Sequence, residues 1–64
     1  MNNFRLEVFI KVAEKLSFTK AAKELYITQP AVTKHINAIE LKLNSKLFER
    51  KGNRIELTKA GIIL

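Results

Sequence analysis

The chain has 64 residues, 47% of them hydrophobic, which predicts one small folded domain with a modest core. It contains no cysteine, no aspartate and one histidine, so disulfides and thiol catalysis are excluded and few groups remain for metal binding or acid–base chemistry. Twelve Lys and Arg residues against six Glu give a net charge of +6 and a pI near 10.0. This balance favours an acidic partner, either nucleic acid or an anionic membrane surface.

The sequence shows neither a membrane span nor a secretory signal. No apolar run approaches the roughly 18 residues that a spanning helix needs. The amino terminus, MNNFRLEVF, lacks the basic start followed by an apolar run that marks a signal peptide. We therefore expect a cytoplasmic protein without a membrane partner.

The first predicted helix covers residues 4–16. Apolar side chains recur there at spacings of three and four residues, which is the period of one helix face. This pattern predicts an amphipathic helix with a core-facing stripe formed by Leu6, Phe9, Ala13 and Leu16.

A second, shorter helix follows Ser17, whose hydroxyl is a typical N-cap acceptor. Ala21 and Ala22 are predicted to face inward, where their small size lets the next helix cross closely. Tyr26 and Ile27 are predicted to form a tight turn after this helix.

The third helix is predicted to begin after Thr28 as its N-cap, with Pro30 in the first turn, where its missing N–H is tolerated. Asn44 is predicted to end it in a left-handed conformation. The core-facing stripe predicted for this helix consists of Val32, Ile36, Ile39 and Leu43.

Residues 47–57 are predicted to form a β-hairpin with its turn at residues 51–53, since Gly and Asn both accept positive φ. Thr58 is a further N-cap candidate, and the apolar residues 62–64 indicate a piece of a longer protein. The order helix, helix, turn, helix, hairpin, helix predicts a mainly α, winged helix-turn-helix fold. We expect a DNA-binding domain over residues 1–58 and the start of a linker helix over residues 59–64.

The exposed face of the third helix is predicted to enter the major groove of DNA. A glutamine can bond adenine through two hydrogen bonds, and a threonine can bond a base or contact a thymine methyl group. The residues predicted to read base edges are Gln29, Pro30, Thr33 and Asn37.

Cations at one helix start and at the hairpin tip predict contacts with the DNA backbone. An arginine in a narrow minor groove gains from the negative potential there. The residues predicted to contact the backbone are Thr19, Lys20, Thr28 and Lys34, with Arg50, Lys51 and Arg54 in the wing.

Four segments resemble a known family, in register and over essentially the whole chain: LSFTKAAKEL, ITQPAVTKHINAIE, LFERKGNRIEL and LTKAGIIL. They resemble the amino-terminal domain of LysR-type bacterial transcriptional regulators. Lys34 stands where arginine is more frequent in that family, and Asn44 where glycine is frequent.

The resemblance implies a dimer-forming domain that binds double-stranded DNA at a pseudo-palindromic operator in the bacterial nucleoid. It implies homodimers or tetramers formed through the linker helix. It also implies a small-molecule effector that binds a separate carboxy-terminal domain, and no cofactor in this one.

Two other classes of function fit the sequence less well. An enzyme would need a nucleophile–base pair or a metal cluster, and the sequence lacks the residues for either. A winged-helix module that binds proteins instead of DNA would need an acidic or broadly apolar third-helix face.

Three further side chains carry separate expectations. His35 is expected on the flank of the third helix or at a phosphate, and not as a metal ligand. Tyr26 can expose its hydroxyl to a phosphate. Glu40 is expected to pair with Arg50 or with a nearby lysine.

Overall fold

The computed structural model describes residues 2–64 and has the predicted winged helix-turn-helix architecture. No helix within that range is both long and apolar enough to cross a membrane. In chain order the elements are α1 (Asn3–Lys15), α2 (Phe18–Leu25), α3 (Gln29–Leu43), β1 (Phe48–Lys51), β2 (Arg54–Leu57) and α4 (Lys59–Ile63).

Each helix begins at a polar N-cap whose side chain accepts a hydrogen bond from the backbone N–H three residues later. Such caps satisfy one of the amides that a helix start leaves unpaired. The predicted caps Ser17, Thr28 and Thr58 are confirmed, and Asn2 is a fourth that the sequence analysis did not identify.

The first three helices all end at a residue in the left-handed conformation. Asn44 has φ 52°, as predicted. Leu16, with φ 49°, and Tyr26, with φ 58°, take the same conformation although their side chains disfavour it. The turn of the helix-turn-helix therefore depends on backbone geometry that the side chain of Tyr26 does not favour.

The hydrophobic core lies where α1, α2 and α3 meet the base of the hairpin. The phenyl ring of Phe48 lies 5.6 Å from that of Phe9 and 5.9 Å from that of Phe18, so aromatic contacts join the first strand to the helices. The buried apolar residues are Val8, Phe9, Val12, Ala21, Ala22, Val32, Ile36, Ile39, Leu47 and Phe48.

The predicted core stripes were wrong at three leucines. Leu6 and Leu16 are exposed, whereas Val8 is fully buried, because packing against α2 and α3 rotates α1 so that Val8, Phe9 and Val12 face inward. Leu43 is exposed at the last turn of α3, at the end of that helix.

The hairpin pairs β1 with β2 in antiparallel register, from Phe48 opposite Leu57 to Lys51 opposite Arg54. The turn therefore contains two residues, Gly52 and Asn53, and not the three predicted, because Lys51 belongs to the first strand. Gly52 has φ +64° in this turn, a conformation that glycine adopts without strain.

Candidate nucleic-acid interface

An open groove of about 910 Å³ separates α3 from the hairpin, with the start of α2 at one side. It brings together three of the predicted base-reading side chains and four of the predicted backbone contacts. Those lining it are Gln29, Thr33 and Asn37, with Thr19, Lys20, Arg50 and Arg54.

The other predicted contact residues lie outside the groove lining. Pro30 and Lys34 are exposed on the first two turns of α3. Thr28 caps this helix, where its hydroxyl accepts a hydrogen bond of 3.2 Å from the N–H of Ala31. Lys51 is exposed near the hairpin tip.

A side-chain hydrogen bond orients the amide at the start of α3. Gln29 Nε2 donates to Thr33 Oγ1 over 3.0 Å, one turn further along the helix. A glutamine amide has two donor hydrogens and an acceptor oxygen, so this bond leaves one donor and the acceptor free. Free donor and acceptor together match the major-groove edge of adenine.

The groove carries more positive than negative charge. Its cationic side chains are Lys15, Lys20, Lys46, Arg50 and Arg54, and its carboxylates are Glu40 and Glu49. Each carboxylate is also paired with a cation, since Glu40 Oε1 lies 3.7 Å from Lys46 Nζ and Glu49 Oε1 lies 3.6 Å from Lys51 Nζ. The groove therefore favours an anionic ligand.

Among the cationic and amide side chains of this groove, three were not predicted to contact DNA: Lys15, Lys46 and Asn53. Lys46 and Asn53 could have been found from their positions next to the base and at the tip of the hairpin. Lys15 could not, because its position at the edge of the groove depends on how α1 packs in the folded chain.

The strand register divides the cations of the wing between two faces. Successive side chains alternate across a strand, so Arg50 shares a face with Phe48 and Ile55, the face toward the core. Lys51 and Arg54 lie opposite one another on the other face, and Arg54 also lines the groove. Like charges directly opposite repel, and an anion between them relieves that repulsion.

Glu40 was expected to pair with Arg50 or with a nearby lysine, and the structure shows the pair with Lys46. Glu40 also has a second partner, which was not expected. The backbone N–H of Leu47 donates to Glu40 Oε2 over 2.9 Å.

His35 lies on a flank of α3, as expected, and packs edge-on against Phe4 with the ring centroids 5.2 Å apart. Its Nδ1 is buried and has no hydrogen-bond partner among the residues that the structure describes. No group of three or more potential metal ligands exists among residues 2–64. The side chain of Tyr26 is 95% exposed.

Comparisons with known proteins agree on one family. The model of the bacterial regulatory helix-turn-helix protein, lysR family, matches residues 4–62. An uncharacterized HTH-type transcriptional regulator of Azotobacter vinelandii, encoded in the ibpB-leuC intergenic region, is 50% identical over 56 residues. That alignment covers 88% of this chain, and the chain spans 39% of the length of that relative.

Two solved structures have nearly the same fold. A LysR-family transcriptional regulator from Eggerthella lenta superposes with a TM-score of 0.95 at 41% identity, covering 98% of this chain and 90% of that one. A complex of CbnR_DBD with DNA contains a chain that superposes with a TM-score of 0.91 at 41% identity. The match covers 98% of this chain and 72% of that one.

Proposed function

Because the chain belongs to the lysR family of bacterial regulatory helix-turn-helix proteins, we propose that it binds double-stranded DNA sequence-specifically, as the DNA-binding domain of a LysR-type transcriptional regulator. The observation that carries this proposal is the groove, in which the polar start of α3 and the basic wing face one another. A chain of similar fold and 41% identity forms a complex with DNA, which supports the same role here.

In this proposal the first turns of α3 read the bases. Gln29, held by Thr33, presents its free donor and acceptor to adenine. Pro30 and Asn37 lie on the exposed side of the same helix and contact neighbouring base edges.

The remaining polar residues hold the phosphate backbone. Thr19 and Lys20 at the start of α2, with Thr28 and Lys34 on α3, contact the strands that flank the major groove. The wing contacts the backbone beside the minor groove through Arg50, Lys51 and Arg54.

We further propose that residues 1–58 form the DNA-binding domain and that residues 59–64 begin a linker helix. Ile62 and Ile63 expose apolar side chains that a second copy can cover. Homodimers or tetramers joined in this way bind pseudo-palindromic operators in the bacterial cytoplasm, with half-sites about 34 Å apart. A small-molecule effector acts on another domain, and this one has no catalytic role.

The test is a selection of duplexes from a random pool, with the chain fused after Leu64 to a dimerising helix. Enrichment of one inverted repeat establishes sequence-specific binding and identifies the operator. Salt-sensitive retention without an enriched motif would replace the proposal with binding by charge alone, and no retention would favour a protein-interaction module.

Variants separate the two kinds of contact. Gln29→Ala and Thr33→Ala are expected to relax preference at particular bases, whereas Lys51→Ala and Arg54→Ala are expected to weaken binding to every duplex. The reverse pattern would exchange the roles of α3 and the wing.

A further inference from the structure

A side-chain hydrogen bond joins the base of the wing to α3. Leu47, fully buried, lies between the loop after α3 and the first strand. Its N–H donates to Glu40 Oε2 over 2.9 Å, and its carbonyl accepts the N–H of Thr58 over 2.9 Å. Because Thr58 follows the second strand directly, this bond adds one more pair of residues, Leu47 and Thr58, to the base of the hairpin. The side chain of Glu40 then links this pair to α3.

Glu40 is otherwise poorly suited to its position. Its side chain is only 12% exposed and lines a groove whose other charges are mostly positive. An unpaired carboxylate there would repel the phosphates that the proposed function places in the groove. The ion pair with Lys46 compensates little, because Lys46 is 81% exposed and the two atoms are 3.7 Å apart. The hydrogen bond to Leu47 is the stronger interaction of this carboxylate.

We infer that Glu40 is a positioning residue for the wing: acting through Leu47, it sets the angle between α3 and the hairpin, and so places Arg50 against a phosphate. This inference rests on the proposed function.

The geometry of the hairpin amplifies a small change at its base. Lys51 is four residues after Leu47, and at about 3.3 Å per residue the tip lies about 13 Å from the base. A tilt of about 10° therefore moves the tip by about 2 Å, more than a hydrogen bond to phosphate tolerates. Losing the bond at Leu47 is thus expected to weaken a contact made several residues away.

The test compares two neutral variants of similar length. Glu40→Gln keeps an oxygen that can accept the Leu47 N–H, and Glu40→Met does not. Both remove the same charge, so any difference between them reports the hydrogen bond. Affinity is measured by fluorescence anisotropy on an enriched duplex, with the folded fraction of each variant fixed by circular dichroism.

We expect Glu40→Gln to bind at least as tightly as the wild type, and Glu40→Met to bind about tenfold more weakly than Glu40→Gln, as loss of one charge-assisted phosphate contact implies. The difference should fall below twofold in an Arg50→Ala background, where the wing contact is already missing. It should remain about tenfold in a Lys34→Ala background, since Lys34 lies on α3 itself. If Glu40→Met does not fold, Glu40→Ala takes its place in the same cycle.

Each other outcome overturns the inference. Equal binding by Glu40→Gln and Glu40→Met would mean that the hydrogen bond to Leu47 does not affect DNA binding and that only the charge of Glu40 does. A difference that persists in Arg50→Ala would mean that the hydrogen bond affects α3 and not the wing. Binding of no duplex by the wild-type chain would reject the proposed function itself, a result distinct from either of these.

Discussion

Position 61 has no room for a side chain larger than that of glycine. A Cβ there would lie 2.3 Å from the carbonyl oxygen of Leu47 and 2.8 Å from Leu57 Cδ2, and the first of these is a backbone atom that cannot turn away. We expect Gly61→Ala to lower the free energy of unfolding by about 3 kcal/mol, because α4 must separate from the base of the hairpin. Urea denaturation followed by circular dichroism measures the change.

Gly52 is the matched control, because no atom of residues 2–64 lies within 4 Å of the point that a Cβ would occupy and only its φ of +64° disfavours a side chain. Gly52→Ala should cost about 1 kcal/mol from backbone strain alone. Equal losses at the two glycines would contradict the steric explanation for Gly61.

Tyr26 provides a second test at the scale of one residue. Its side chain is 95% exposed and its φ of 58° is costly for tyrosine, whereas asparagine adopts this region readily. Tyr26→Asn should raise the free energy of unfolding by about 1 kcal/mol, measured by urea denaturation. Tyr26→Ala removes the ring without relieving the backbone, so a gain of the same size in that variant would mean that the exposed ring itself destabilises the fold.

The first two helices are joined on the surface by a small charge network. Glu24 on α2 lies 2.8 Å from Lys15 Nζ and 3.2 Å from Lys11 Nζ, both on α1. Hydrogen bonds from Lys15 and then Lys11 hold the pKa of Glu24 below its usual value of 4.5. The bond to Glu24 likewise raises the pKa of Lys11 above its usual 10.5.

The network predicts how stability depends on pH. A carboxylate whose pKa is lowered by folding stabilises the fold above its unfolded pKa, and this contribution disappears as pH falls through the lower, folded value. Glu24→Gln should therefore be less stable than the wild type at pH 7 and equally stable well below pH 4.5. Urea denaturation at both pH values measures this, and added salt should reduce the pH 7 difference.

Glu7→Gln is the control for this prediction, because Glu7 lies in the same helix as Lys11 and Lys15 but has no ion pair within residues 2–64. A pH-dependent difference at Glu7 as large as that at Glu24 would show that general charge, and not the network, determines the effect.

At the scale of elements, the sequence predicted those features that depend only on neighbouring residues, such as the helix N-caps. Ser17, Thr28 and Thr58 act as caps through their own hydroxyls, so their roles could be assigned without knowing the fold. The orientation of α1 could not, because apolar residues occur on more than one of its faces and packing decides which are buried. The periodicity favours Leu6 over Val8 as a core residue, whereas in the fold Leu6 is exposed and Val8 is buried.

In the candidate site, too, contacts within one helix could be predicted from the sequence, and contacts between elements could not. Gln29 and Thr33 are four residues apart on one helix, so their proximity follows from helical periodicity. The hydrogen bond from Leu47 to Glu40 spans a chain reversal of seven residues and depends on where the wing folds back. Lys15 lines the groove at the end of α1, next to the start of α2, and no local pattern in α1 indicates this position.

The distribution of charge over the whole molecule determines how its DNA affinity should respond to salt. The net charge is +6, but the cations are not equally free to bind phosphate. Lys51 Nζ lies 3.6 Å from Glu49 Oε1, whereas Arg50 lines the groove. Releasing counterions from one phosphate contact changes the slope of log K against log salt by about 0.9.

Arg50→Ala should therefore flatten that slope by about 0.9, and Lys51→Ala by less, because Lys51 is already partly neutralised in the free protein. Anisotropy titrations of one duplex over a series of salt concentrations give both slopes. Both variants should weaken all duplexes alike, since neither side chain is expected to read a base. A larger loss of slope in Lys51→Ala would mean that Lys51 leaves Glu49 on binding, and that the face of the wing that carries Lys51, not the face that carries Arg50, lies against the DNA.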